Sequence, residues 1–429
     1  MARLTMGDVE FEIEKKATDT IMVAFADGQG RLVAMRVTTD HFMQEVLPSG
    51  MPVPSHVLAT DATGRMSPAY PLTAPESGYR DLLLRVDPTT FFRMPWQPGT
   101  IGVLGDLEFA DGTAVTMAPR TVLKRQAKRI ETAGYTASLG SELQFTLITP
   151  EPATGGNHLA SRSARLEPTL HQIRRSLSEM PVEIAGTSGL QGPGQYEVVL
   201  LPGDPLQVSD GAVLSRSAIK AIATLEGQRA TFMAAPGESA GTGAVNISLR
   251  GQRGGSPLAD RYSEAGLSEV GKAFVAGLLL HATELCVLYA PNVNSYRRFG
   301  SDPFTPSALT WGDDNRTCAV RIVSSESALR IENRMAGSDA NPYLTAAATI
   351  AAGLDGISHQ TRIGSPANAA ALPTSLGEAL AAWEGSTWVR ETFGPEVQDH
   401  YATMARLEID AAGASPTLEW ERERYLDGS

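Results

Sequence analysis

The segment Ser327-Ala-Leu-Arg-Ile-Glu-Asn-Arg-Met-Ala-Gly-Ser-Asp-Ala-Asn-Pro-Tyr-Leu344 constrains this chain more than any other, because it joins a strand with charges on one face to a capped helix. Successive strand side chains point to opposite faces, so Arg330, Glu332 and Arg334 share one side and Leu329, Ile331 and Asn333 the other. Asn341 then caps a helix with Pro342 at its first position, and an alanine-rich stretch carries it to Gly353 and Gly356. Two guanidiniums flanking a carboxylate on the inward face of a buried strand are costly to desolvate unless an anion or a metal sits against them. A structural ion-pair network is the plain alternative.

With 429 residues the chain holds one large or two ordinary domains. Its formal net charge of -12, with no long Lys/Arg run, argues against a nucleic-acid surface, while local arginines could still hold anionic small molecules. Two cysteines, Cys286 and Cys318, exclude a disulfide framework and a Cys-rich metal site, and they fit a reducing cytoplasm. The acidic, weakly apolar first residues do not read as a secretory signal. Ala273 to Tyr289 is the most apolar stretch, but His281 and Glu284 interrupt it, so it reads as a buried helix and not a membrane span.

Residues 1–115 are rich in short strands, with Thr20 to Phe25 and Arg31 to Val37 joined by the turn Asp27-Gly28-Gln29-Gly30. From 116 to 429, helices and strands interleave around a mainly antiparallel sheet, which makes the fold class α+β. Thr121 to Ala133 reads as a helix, and Ser209 or Asp210 as the cap of another ending at Leu225. Polar faces recur on the strands of this region. Glu142 and Gln144 share one, Glu197 stands opposite Tyr196 and Val198, Asn246 lies among Ala244, Ser248 and Arg250, and Arg316 and Arg321 bracket an apolar run within Asn315 to Ile322. For one strand a solvated face explains this; five such strands favour a sheet curved around a polar cavity. Carboxylates there would hold Mg²⁺ or Mn²⁺ against phosphates, and arginines would neutralise a transferring phosphoryl group.

The order Gly140-x-Glu-x-x-Phe145, Gly194-Gln-Tyr-Glu197, Ala230-Thr-Phe-Met233, Asn294-Ser-Tyr-Arg-Arg298, Asp314-Asn-Arg316, Arg330-Ile-Glu-Asn-Arg334 and Asn341-Pro-Tyr-Leu344 resembles the glutamine synthetase family over nearly the whole chain. Trp311-Gly-Asp-Asp-Asn-Arg316 looks closest to the branch that joins glutamate to amines other than ammonia. The resemblance implies a small β-grasp-type domain at 1–115 and, at 116–429, a catalytic domain with a curved antiparallel sheet forming a funnel flanked by helices.

The resemblance also implies a chemistry. ATP phosphorylates the side-chain carboxylate of glutamate, and an amine then displaces phosphate. By position, Glu142, Glu197 and Glu332 match metal ligands for Mg²⁺ or Mn²⁺, and Arg298 matches the arginine that holds the acid substrate. Arg316, Arg321 and Arg334 match residues that contact nucleotide phosphates and the developing charge, and Asp61 lies near a position lent to a neighbouring subunit's site for the amine. The family forms homo-oligomeric rings with sites shared between subunits.

Several matched positions depart from the family. Gln144 replaces the second glutamate of a Glu-x-Glu pair, Gly189 replaces another glutamate, and Ala244 and Asn246 stand where the family has His-x-His, the second of them beside the nucleotide. Of six metal-ligand positions only Glu142, Glu197 and Glu332 keep a carboxylate, and none of the chain's 7 histidines reads as an obvious substitute. Three readings follow: an ATP-dependent ligase with a reduced metal site, an ATP-independent enzyme acting on a γ-glutamyl or other amino-acid derivative, and a noncatalytic binding or assembly partner.

Overall fold

The computed structural model describes residues 4–150, 158–159, 161, 164–237, 240–252, 254–301, 303–324, 329–365 and 369–429. Ser327 and Ala328, at the head of the segment that runs to Leu344, lie outside them.

The first sheet comprises β1 (Thr20–Ala26), β2 (Leu32–Thr38), β3 (Met51–Pro54), β4 (Asp81–Val86), β5 (Phe92–Arg93) and β6 (Thr100–Glu108). Its order is β2-β1-β6-β4-β3, with β5 also on β6, and only β1 and β6 run parallel. β1 is apolar on both faces because it separates two cores. Ile21, Val23 and Phe25 enter the core of this sheet, whereas Met22, Ala24 and Ala26 enter the large core shared with the rest of the chain.

The second sheet comprises β7 (Tyr135–Ile148), β8 (Ile184–Gly189), β9 (Gln195–Gly203), β10 (Arg229–Thr231), β11 (Val245–Gly251), β12 (Trp311–Asp313), β13 (Val320–Ser324) and β14 (Leu329–Asn333). The order is β12-β13-β14-β11-β7-β9-β8 with β10 on one end of β7; every pair is antiparallel except β12 and β13. The mixed α+β class read from the sequence is the class observed.

Local chemistry explains where elements begin and end differently from expectation. The helix expected to start at Ser209 or Asp210 runs Pro205–Leu225, because Asp204 Oδ1 accepts the N–H groups of Leu206 and Gln207 at 3.0 and 3.1 Å and Pro205 fills the first position. The expected strand from Asn315 begins only at Val320: Asn315 Oδ1 accepts the Thr317 N–H at 2.9 Å and closes a turn, which carries Arg316. The single apolar helix is two, Glu269–Leu280 and Ala282–Tyr289, bent by 70° at His281. That histidine bonds Glu284 and Asp355 and stacks on Trp388 at 3.6 Å between ring centroids. Among the described residues no single helix is long and apolar enough to cross a membrane.

The helix after Asn341 spans Pro342–His359 and passes straight through Gly353 and Gly356. Those glycines serve helix contact and not termination. A Cβ at Gly356 would lie 2.1 Å from the Ala273 carbonyl oxygen, and one at Gly353 2.2 Å from the Phe274 ring. Asn341 caps the helix by accepting the Tyr343 N–H at 3.0 Å, while its amide nitrogen donates to the carbonyls of Asp27 and Gly28, both at 3.1 Å. Gly30 takes φ +77 there, and a side chain would meet Pro342 at 3.1 Å. The turn of the first sheet is thus seated on the start of the helix that follows β14.

A buried guanidinium makes the second tie. Arg120, in the helix Pro119–Thr132, donates to Asp87 and Asp106 of the first sheet region and to Asp210 of the Pro205–Leu225 helix, each at 2.9 Å. Tyr343 donates to the same Asp210 oxygen at 2.7 Å. Three carboxylates around one guanidinium hold Arg120 charged, raising its pKa despite burial.

Candidate functional site

Neighbouring strands stand ~4.8 Å apart, so the four steps from β13 to β9 would span about 19 Å in a flat sheet. Side chains from both ends nevertheless line one cavity of about 520 Å³, which requires the sheet to curl. Glu142 and Gln144 on β7 and Glu197 on β9 form one wall. Arg316, Arg321, Arg330 and Arg334 form the other, drawn from the turn before β13, from β13, from β14 and from just beyond it.

Glu332 is fully buried among the arginines. Its Oε2 accepts from Arg321 at 2.8 Å and its Oε1 from Arg334. Arg321 also donates from Nε to Asp314 at 3.0 Å, and Arg334 to the Phe304 carbonyl at 2.9 Å. Both oxygens of this carboxylate are therefore engaged by guanidiniums, and the expected ion-pair arrangement on the β14 face is present.

The other two glutamates are held differently. Asn246 on β11 donates to Glu142 at 3.1 Å and accepts from Arg330 at 3.1 Å, so its amide links the acidic wall to the basic one. Gln144 donates to Glu197 at 3.2 Å and accepts the Thr242 N–H at 2.8 Å. Burial, followed by repulsion from Glu332 and Glu197, pushes the Glu142 carboxyl up to about 7. Burial is also the leading cause that raises Glu197. Among the described residues neither carboxylate accepts a hydrogen bond from a guanidinium, and the side-chain donor to each is an amide.

Arg298 and Asp61 do not line this cavity. Arg298 is fully buried behind it, donating to the carbonyls of Arg334 and Met335, with its guanidinium 4.8 Å from the centre of the Phe299 ring. Asp61 receives the Thr63 and Arg65 N–H groups at 2.9 and 3.0 Å and pairs with Arg424 at 3.2 Å. Its pKa is lowered because the bonds from Thr63 and Arg65 and the Arg424 charge outweigh burial, which leads and acts the other way.

Sequence reasoning missed His158. It lines the cavity, and its charge acts on Glu197, although from the sequence no histidine read as an obvious substitute for a lost ligand. It sits at φ +63 outside any strand, so strand alternation could not find it; the Gly155-Gly156-Asn157 run before it is the only sequence signal of a turn there. Gln191, Gln195 and Phe304 also line the cavity and were not singled out as site residues. Among the described residues no three His, Cys, Asp or Glu side chains converge as a ready-made metal cage.

Comparison with known proteins agrees with this geometry. Residues 116–425 match the family described as glutamine synthetase, catalytic domain. The chain is 37% identical to the gamma-glutamylethanolamide synthetase of Streptomyces coelicolor over 432 residues, which is 95% of this chain and 93% of that protein. It is 32% identical to the glutamate–isopropylamine ligase of a Pseudomonas species over 443 residues, 97% of this chain and 96% of the other. A solved GmaS/ADP complex superposes with a TM-score of 0.84 at 26% identity, covering 97% of this chain and 99% of that one. With a family match over residues 116–425 and relatives above 30% identity along nearly the whole chain, the chain belongs to the glutamine synthetase family.

Proposed function

We propose that this protein is an ATP-dependent ligase that forms an amide between the side-chain carboxylate of glutamate and an amine other than ammonia. The observation that carries the reading is the pairing of two amide-held carboxylates with four guanidiniums around one cavity. Such a wall of acids facing a wall of arginines suits a divalent cation bound together with phosphate. The names of the two relatives, which join glutamate to ethanolamine or isopropylamine, support the choice of a substituted amine.

Glu142 and Glu197 fit one Mg²⁺ or Mn²⁺. They stand on one wall, Glu197 repels Glu142, their charged forms are disfavoured, and phosphate oxygens and water would complete the coordination. The ion would supply charge neutralisation for the phosphates. Glu332 joins that set only if Arg321 or Arg334 leaves it. An arriving phosphate offers those arginines an equivalent anionic partner, so the exchange would keep each charge paired.

In the reaction read here, a glutamate carboxylate oxygen bonds to the γ-phosphorus of ATP as the bond to ADP breaks. The amine nitrogen then bonds to the acyl carbon, the carbon–oxygen bond to phosphate breaks, and the nitrogen gives up a proton. Arg316, Arg321, Arg330 and Arg334 balance the charge on the transferring group. Asn246 holds Glu142 and Arg330 in register across the cavity. Arg298 reaches an acid substrate only by exchanging the Arg334 and Met335 carbonyls it now holds. Asp61 of the partner subunit would approach the amine in a ring with shared sites, after release from Arg424. The free thiols of Cys286 and Cys318 suit a cytoplasmic setting.

The test is incubation with ATP, Mg²⁺, glutamate and either ethanolamine or isopropylamine, with the γ-glutamyl amide and ADP measured together. The ligase reading expects the two in equal amounts. Amide without ADP would establish the ATP-independent reading, and neither product the noncatalytic one.

A further inference from the structure

We infer that Phe304 is the wall against which the substituent of the amine packs, so that the site selects amines bearing an apolar alkyl or aryl group over ammonia. The inference rests on the ligase reading above.

The lining is mostly acids, amides and guanidiniums, with Leu190 and Ala240 as its other apolar side chains, and Phe304 lines it with 50% of its surface exposed. Among the described residues it is the only exposed large hydrophobic side chain in that lining. The exposed half of that ring is apolar surface within the cavity, and a ligand carrying apolar surface would cover it favourably. Ammonia has no such surface.

The backbone that carries the ring is held in place. The Phe304 carbonyl accepts from Arg334 at 2.9 Å, and Arg334 in turn bonds Glu332, so this backbone is tied to the charged wall. Pro303 and Pro306 bracket the Phe304-Thr305 pair, fixing their own φ angles and restricting Thr305, which is buried and shares the lining. A rigid backbone that presents an aromatic face is what a selective apolar contact requires.

The experiment compares kcat/KM for isopropylamine and for ammonia in the wild type, Phe304→Ala and Phe304→Leu. Removing apolar contact in a specificity pocket typically costs a factor of ten to a hundred, so Phe304→Ala is expected to lose about that much with isopropylamine, through KM. Its values for ammonia, and its KM for glutamate and ATP, are expected to stay within about twofold, since those substrates do not use the ring. Phe304→Leu, which keeps apolar bulk, should recover most of the loss. An equal loss with both amines, or no loss with isopropylamine, overturns the inference while leaving the ligase reading intact. If the wild type forms no amide from any amine, both fall together.

Discussion

Gln144 donates its amide N–H to the Glu197 carboxylate at 3.2 Å, and the Thr242 N–H, 2.8 Å from Gln144 Oε1, fixes which end of that amide faces the acid. A neutral donor thus stands beside Glu197 where the glutamine synthetase resemblance has a second carboxylate. Two carboxylates at this distance would repel and demand a cation, whereas an amide does not.

Restoring the charge by Gln144→Glu keeps the acceptor for Thr242 and adds a ligand oxygen beside Glu197. Mn²⁺ affinity in the absence of nucleotide should rise by on the order of tenfold at pH 8, read by titration calorimetry. Unchanged or weaker binding would argue that the cation does not use the Glu142 and Glu197 wall.

Glu142 gives a pH prediction. Its carboxyl lies at about 7 in the folded protein against 4.5 for the ordinary side chain, because burial and the neighbouring glutamates disfavour its charge. Between those values the folded state holds a proton that the unfolded chain has lost, so stability contributed by this group falls as pH rises through the window. Glu142→Gln should therefore melt higher than wild type at pH 8 without divalent ions, by on the order of a couple of degrees. The difference should shrink towards pH 4.5 and reverse when Mg²⁺ is added. Melting curves at pH 5 and 8 with and without Mg²⁺ check it, and a wild type that melts higher at pH 8 without metal would contradict it.

Arg120 ties the first sheet region to the Pro205–Leu225 helix through Asp87, Asp106 and Asp210, and Asp210 is itself buried. Arg120→Met leaves that carboxylate without a cation, which should cost about 3–5 kcal/mol in urea unfolding. Arg120→Lys should recover only part, because one ammonium cannot meet three acids in the planar geometry of a guanidinium. A loss below about 1 kcal/mol for Arg120→Met would show that the clamp is replaced by water.

Much of the cavity was legible because strand alternation is strict. Glu142, Gln144, Glu197 and Arg330 fall on the faces their spacing assigns, and the curl that gathers them follows from their being polar on one side only. Alternation could not reveal that Glu332 spends both oxygens on Arg321 and Arg334, since pairing depends on rotamers across strands. Nor could it place Arg316 on a turn, because the Asn315 side chain competes locally with the strand ladder. His158 and Phe304 come from segments outside the strands, where only turn residues and prolines mark the path and nothing marks the destination. Gly353 and Gly356 read as a helix end because glycine commonly ends helices; their role in close contact with Phe274 and Ala273 emerges only when the second helix is in view.

The central claim is that ATP activates the side-chain carboxylate of glutamate in this cavity. It is tested most directly by supplying glutamate labelled with ¹⁸O in that carboxylate, together with ATP, Mg²⁺ and isopropylamine, and measuring the isotope in the released phosphate by mass spectrometry. The account predicts one ¹⁸O atom in each phosphate formed with amide, because the oxygen that attacks phosphorus leaves with it. Amide accompanied by unlabelled phosphate would contradict it.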